Sequence, residues 1–157
     1  MNKEVREFAG LLALVASLIF VGLEMRQNTN MMRAQIRNSM SENTMTYLGW
    51  QATSPALADV MVKARLEGEI ALTSGEERQM RPFVSAQIRE WENSFYQNKM
   101  GLFTDMEFQA RVATWRYRLK TSPDSALFLG TWTRTKQLYA EDFQDEVDRV
   151  IREASGP

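Results

Sequence analysis

The feature that most constrains this chain is an uncharged apolar run from Phe8 to Leu23, with the sequence FAGLLALVASLIFVGL. Ser17 carries the only polar side chain among these sixteen residues. A helix rises ~1.5 Å per residue, so the run spans roughly 24 Å, slightly less than the ~30 Å hydrocarbon core of a membrane. Val5 and Met25 extend its apolar surface. The run therefore predicts a transmembrane helix, which we assign to residues 1–25.

Two other structures are compatible with an apolar run near the N-terminus, and both fit less well. A core helix of a water-soluble protein usually has a polar edge, whereas this run is apolar on every side. A cleaved signal peptide needs small residues at the cleavage position. Residues 21–26 read VGLEMR and offer no such site.

Basic residues on either side of the run predict its orientation. Lys3 and Arg6 precede it, and Arg26, Arg33 and Arg37 follow it. Long basic side chains can reach the lipid headgroups, so all five are candidate membrane-interface residues. Lys and Arg near the ends of a span favour the cytoplasmic side. The excess of three over two predicts a cytoplasmic C-terminal domain.

Composition excludes several classes of function. Nineteen basic and twenty acidic residues nearly cancel, whereas a nucleic-acid-binding protein needs a basic surface, so no nucleic-acid partner is expected. The chain has no Cys and no His, which removes thiolate chemistry, disulfides and the commonest metal ligands. We therefore predict no catalytic residue, no metal site and no cofactor, and we expect the protein not to be an enzyme.

Residues beyond the run show helical spacing and no alternating strand pattern. The first stripe predicts a stalk helix over residues 26–49, continuous with the transmembrane helix and ending at Gly49. It contains, at spacings of four and three, Met25, Thr29, Met32, Ile36, Met40, Asn43 and Tyr47. The stalk and the residues C-terminal to it form a predicted helical soluble domain over residues 26–157.

Capping signals divide the rest of the chain into about five further helices. The predicted starts are Ser54-Pro55, Thr73 with Glu76, Thr104 with Glu107, Ser122-Pro123 and Asp142. Gly68 and Gly101 are predicted helix stops, and Pro82 is expected to kink the helix that contains it. The predicted fold class is all-α, with a long N-terminal helix that continues into a small helical bundle.

Several stretches carry a resemblance to a known group of sequences: LIFVGLEMRQNTNMMRA, SPALADV, LTSGEERQM, WENSFYQNKMGLF and DFQDEV. The chain resembles small bacterial single-pass membrane proteins that have no assigned activity, and the resemblance covers most of its length. It implies an apolar helix running into residues 26–29, a later helix that closes at Gly101-Leu102, and a location in the bacterial inner (plasma) membrane. Pro82 departs from the pattern of this group.

The densest polar stretch on an otherwise apolar helix contains the candidate site residues Glu92, Asn93, Tyr96 and Gln97. Glu92 and Tyr96 are one helical turn apart, as are Asn93 and Gln97, so each pair can share a face. We expect either a structural hydrogen-bond network or a ligand site, with Glu92 partly buried. Its candidate partners are Arg89, Arg111, Arg116 and Arg118.

Small side chains recur every fourth residue in the apolar run, at Ala9, Ala13 and Ser17, and such a pattern lets two helices approach closely. The first hypothesis for function is a membrane-anchored helical interaction module, which self-associates or docks another protein. Its partners would be the lipid bilayer and either a second copy of the chain or another membrane protein. The alternative is a lipid- or small-molecule-binding helical domain that uses the Glu92–Gln97 region.

Overall fold

The computed structural model describes residues 2–67, 71–121 and 125–156. Its helices are α1 (Lys3–Thr53), α2 (Pro55–Glu67), α3 (Ser74–Lys99), α4 (Asp105–Thr121), α5 (Ser125–Thr135) and α6 (Glu141–Ser155), with a 3₁₀ turn at Lys136–Leu138. No strand occurs in these ranges, so the predictions of an all-α fold, a long N-terminal helix and about five further helices are confirmed. The predicted stop at Gly68 and start at Ser122-Pro123 lie outside the described residues.

The chain forms two compact units, Met1–Asn38 and Ser39–Pro157. In the first unit, α1 is long and apolar enough to cross a membrane, and its apolar run is entirely exposed. The Ser17 hydroxyl donates to the carbonyl of Ala13 at 2.8 Å, so the one polar side chain of the run bonds within its own helix. Met25 and Met32, which the stripe places on an inner face, are exposed.

The second unit begins with the C-terminal part of α1, which ends at Thr53, four residues beyond the predicted Gly49. In this part Met40 is buried and Tyr47 is half-buried, as the stripe predicts. The Ser54 side chain then accepts the main-chain N–H of Leu57 at 3.3 Å, which caps the start of α2.

The core of the second unit is built around α3. The Trp91 side chain is completely buried, and its ring stacks on that of Trp115 from α4 with centroids 4.9 Å apart. Phe128 from α5 and Phe143 from α6 also pack against Trp91. Such aromatic pairs add about 0.5–1.5 kcal/mol each to the stabilisation from burial. Among the described residues, the other completely buried apolar side chains are Ile88, Val112, Phe143, Val147 and Val150.

Local capping chemistry sets the boundaries of α3 and α4. Thr73 and Glu76 exchange side-chain and main-chain hydrogen bonds, and Thr104 and Glu107 do the same, which confirms both predicted capping boxes. α3 continues through Pro82 as one helix. It ends at Lys99, and the chain turns away at Gly101, whose φ of 69° is a left-handed conformation that favours glycine.

Candidate functional site

The polar stretch singled out in the sequence lies on α3 and is tied into the bundle. Glu92 accepts a hydrogen bond from Nη1 of Arg89 at 2.7 Å, one turn earlier on the same helix. The Glu92 side chain is 18% exposed and that of Arg89 is 51% exposed. Arg89 also lies over the ring of Tyr139, with its guanidinium carbon 4.1 Å from the ring centroid. The Glu92 pair is therefore close to the surface.

Tyr96 does not pair with Glu92 but with the start of α6. Its hydroxyl donates to Oδ1 of Asp142 at 2.7 Å, and Nζ of Lys99 donates to Oδ2 of the same carboxylate at 2.5 Å. The hydrogen bond to Asp142 raises the pKa of Tyr96 to about 12. The Lys99 and Tyr96 hydrogen bonds lower the pKa of Asp142. The arrangement stabilises a neutral tyrosine and an ionised aspartate, and it joins the end of α3 to α6.

Gln97 completes this region by donating from Nε2 to Oδ1 of Asn93 at 3.3 Å. Each of the four predicted residues thus has a hydrogen-bond partner in the second unit, although the buried Oε1 of Gln97 has none among the described residues. The structure brings Tyr96 to Asp142, Glu92 to Arg89 and Gln97 to Asn93, and it brings none of them to the arginines of α4.

A different carboxylate on α3 is the buried one. The Glu90 side chain is 7% exposed, and Nη1 of Arg111 from α4 donates to both of its oxygens, at 2.5 and 2.6 Å. Burial raises the pKa of Glu90, and the positive charge of Arg111 opposes that rise. The folded state therefore binds this proton more tightly than the unfolded state does. The stability contributed by this group falls as the pH rises from about 4.5, its ordinary pKa, through its raised value.

The Glu90–Arg111 pair lines an open cleft of about 630 Å³ within the second unit, which we call the Arg111 cleft. One wall is the C-terminal part of α1, and the others are α3 and α4. On its floor Nη2 of Arg118 donates to Oε1 of the buried Gln87 at 3.0 Å. The remaining lining residues are Thr44, Tyr47, Leu48, Gln51, Phe103, Glu107, Ala110, Thr114 and Trp115.

Three hydroxyl groups in the Arg111 cleft, those of Thr44, Tyr47 and Thr114, each donate to a main-chain carbonyl at 3.0 Å. A hydroxyl nucleophile would instead donate to a side-chain base that removes its proton. The arrangement therefore favours binding over covalent chemistry. A second cavity nearby, beside Met61 and Met80, measures only about 30 Å³, and its size suits no more than a few water molecules.

Sequence reasoning missed Glu90, although a signal for it exists. Phe83, Gln87, Glu90 and Ser94 recur at spacings of four, three and four, and all four are buried. This spacing places Glu90 on a second inner face of α3, whereas Glu92 lies about 200° further around the helix. Among the described residues, no group of three or more acidic side chains is placed to hold a metal ion.

The fold and the site define an all-α bundle with one helix that is long and apolar enough to cross a membrane. Comparison with models of known families, with curated proteins and with solved structures finds no match for this chain. Its function is therefore proposed from its own residues.

Replacing Arg111 by Gln is expected to lower the free energy of unfolding by ~3–5 kcal/mol at pH 7, because it leaves a buried carboxylate without its partner. Arg89→Gln is the matched control, since it removes a partly exposed partner of Glu92 and should cost ~0–1 kcal/mol. The cost of Arg111→Gln should shrink toward acidic pH, where Glu90 is protonated. Denaturant unfolding of the full chain in detergent micelles, followed by tryptophan fluorescence, measures both. Equal costs, or a cost independent of pH, would contradict the burial argument.

Proposed function

We propose that this protein is a single-pass protein of the bacterial plasma membrane whose helical second unit acts as an interaction module on the cytoplasmic side. The observation that carries the proposal is the apolar run of α1, whose large side chains are all exposed. Each exposed Leu, Ile or Phe forgoes ~1.5–3 kcal/mol of burial in water, so the run as a whole forgoes more than ~10 kcal/mol. A hydrocarbon environment removes that penalty.

The polar groups of the run suit a lipid environment. A spanning segment must satisfy its main-chain groups internally, as an α-helix does. The Ser17 hydroxyl is also bonded within the helix. Lipid can therefore surround the run without leaving a hydrogen-bonding group unpaired.

The flanking basic residues divide into two groups by distance. At ~1.5 Å per residue, Arg26 lies ~5 Å beyond Leu23, within a headgroup layer of roughly 5–8 Å. Arg33 and Arg37 lie ~15 and ~21 Å beyond Leu23, further than that layer extends. We therefore assign Lys3, Arg6 and Arg26 to the interface. Arg33 and Arg37 support the cytoplasmic orientation instead, because the positive-inside rule counts residues within about 15–20 positions of a span.

Two observations favour an interaction module over a ligand site at Glu92–Gln97. Glu92, Asn93, Tyr96 and Nε2 of Gln97 already have hydrogen-bond partners in the second unit, and neither the Arg111 cleft nor the smaller cavity near it includes these residues. The second unit also exposes several methionines, whose flexible side chains adapt to varied partners. The most exposed are Met45, Met100 and Met106.

Membership in the bacterial group that the chain resembles is part of the same proposal.

Membrane attachment is tested by fractionation of cells that express the full chain. The protein should sediment with membranes, resist extraction by carbonate and dissolve in detergent. Leu14→Arg combined with Leu18→Arg should release it, because an Arg at the centre of a span costs ~2.5–3.5 kcal/mol. Met31→Arg, outside the apolar run, should not. Extraction of the parent protein by carbonate would overturn the proposal.

Orientation is tested with a reporter enzyme that is active only outside the cytoplasm, fused after Pro157. The parent fusion should be silent. Replacing Arg26, Arg33 and Arg37 by Gln removes the basic excess and should raise reporter activity. The same replacement at Arg65, Arg78 and Arg81 is the control and should leave the fusion silent. An active parent fusion would reverse the assignment.

Self-association through the small-residue face is tested with single cysteines, because the chain has none of its own. Ala13→Cys lies between Ala9 and Ser17, and Gly22→Cys lies nine residues further on, on the opposite side of the helix. Oxidation in native membranes should link copies of the Ala13→Cys chain and leave the Gly22→Cys chain monomeric. Equal linking at both positions would contradict a specific face. Linking to other membrane proteins alone would favour docking over self-association.

A further inference from the structure

The guanidinium of Arg111 is only partly used by the fold. Its Nη1 makes both hydrogen bonds to Glu90. Nε and Nη2, which share the other edge of the group, make no hydrogen bond to any residue in the described ranges, and neither atom is buried. Two parallel N–H groups on one edge form the fork that fits a carboxylate. The fold therefore leaves this fork unused on a residue that lines the Arg111 cleft.

Three hydroxyls of the Arg111 cleft offer no free donor to an anion, and the lining also contains Arg118 and the carboxylate of Glu107. The hydroxyls of Thr44, Tyr47 and Thr114 already donate to main-chain carbonyls, so their oxygens can act toward a ligand only as acceptors. The Glu90 side chain is 7% exposed and that of Arg111 is 23% exposed, so the carboxylate is the more deeply buried of the two. A molecule that enters the cleft thus meets the arginine before the carboxylate that balances it.

The walls of the Arg111 cleft suit an apolar body. Leu48, Phe103 and Trp115 line it, and the Trp115 ring is fixed by stacking on Trp91. A volume of about 630 Å³ lies within the range of ~300–1,000 Å³ found for small-molecule sites. The Arg111 fork adds a charged group to these apolar walls, and in small-molecule sites a few such polar groups set the orientation of the ligand.

We propose that the Arg111 cleft binds a small carboxylic acid anion with an apolar body. The carboxylate accepts hydrogen bonds from Nε and Nη2 of Arg111, and the body lies against Leu48, Phe103 and Trp115. Glu90 acts as a positioning residue, because it fixes Nη1 and thereby aims the opposite edge at the ligand. The site belongs to the second unit alone, and its existence is independent of the membrane anchor.

The test uses the full chain in phosphatidylcholine nanodiscs, with empty nanodiscs subtracted. The probes are 2-naphthoate and octanoate, and 2-naphthamide is the uncharged counterpart of the first. Isothermal titration should show saturable binding of at least one of the two carboxylates. If 2-naphthoate binds, the affinity for 2-naphthamide should be at least about ten-fold lower. Absence of saturable binding by both carboxylates would overturn the proposal, and so would equal affinity for 2-naphthoate and 2-naphthamide.

Two variants test whether binding depends on the Arg111 fork and on the apolar wall that contains Leu48. Arg111→Lys keeps a charge beside Glu90 but removes the fork, and it should weaken carboxylate binding by about ten-fold or more. Leu48→Glu places a repelling carboxylate on an exposed part of the wall and should do the same without disturbing the core. Arg65→Lys and Met45→Glu, at exposed positions outside the cleft, are the matched controls and should bind as the parent does. Parental affinity in both Arg111→Lys and Leu48→Glu would refute the assignment.

Discussion

The Trp91 indole is completely buried, and it touches aromatic rings from α4, α5 and α6. Because three helices meet on this one side chain, the position and rotation of α3 are fixed from several directions. The rotation in turn determines which polar residues of α3 point inward. Glu90 precedes Trp91 by one residue and Gln87 by four, so the aromatic packing turns both toward α4 and the end of α1. The Arg111 cleft is thus a consequence of how α3 is held.

Local signals in the sequence were sufficient for both ends of α3 and for the start of α4, whereas α1 runs four residues beyond its predicted end at Gly49. Thr73 with Glu76 and Thr104 with Glu107 satisfy main-chain groups within a few residues of each other, so no knowledge of the fold is needed to recognise them. Gly101 ends α3 for a similarly local reason, its left-handed conformation. The all-α class and the number of helices can be predicted from such signals together with apolar spacing.

The identity of the buried carboxylate could not be obtained in the same way. The apolar residues of α3 define one inner face, and Glu92 stands out beside its aromatic members. Glu90 lies on a second inner face, which is buried only because α4 and the C-terminal part of α1 cover it. The pattern of one helix cannot show how many neighbours surround it. The partner of Glu90 is twenty-one residues away on another helix, beyond the reach of local rules.

The two ion pairs made by carboxylates of α3 place different constraints on how this sequence can change. Substituting Arg89 or Glu92 singly leaves a charge that water can reach, so the two positions can drift one at a time. Substituting Glu90 or Arg111 singly passes through a less stable chain, because a buried charge loses its partner. Related sequences should therefore replace these two residues together. Correlated substitutions at positions 90 and 111 would show that the charge pair has stayed buried in the bundle.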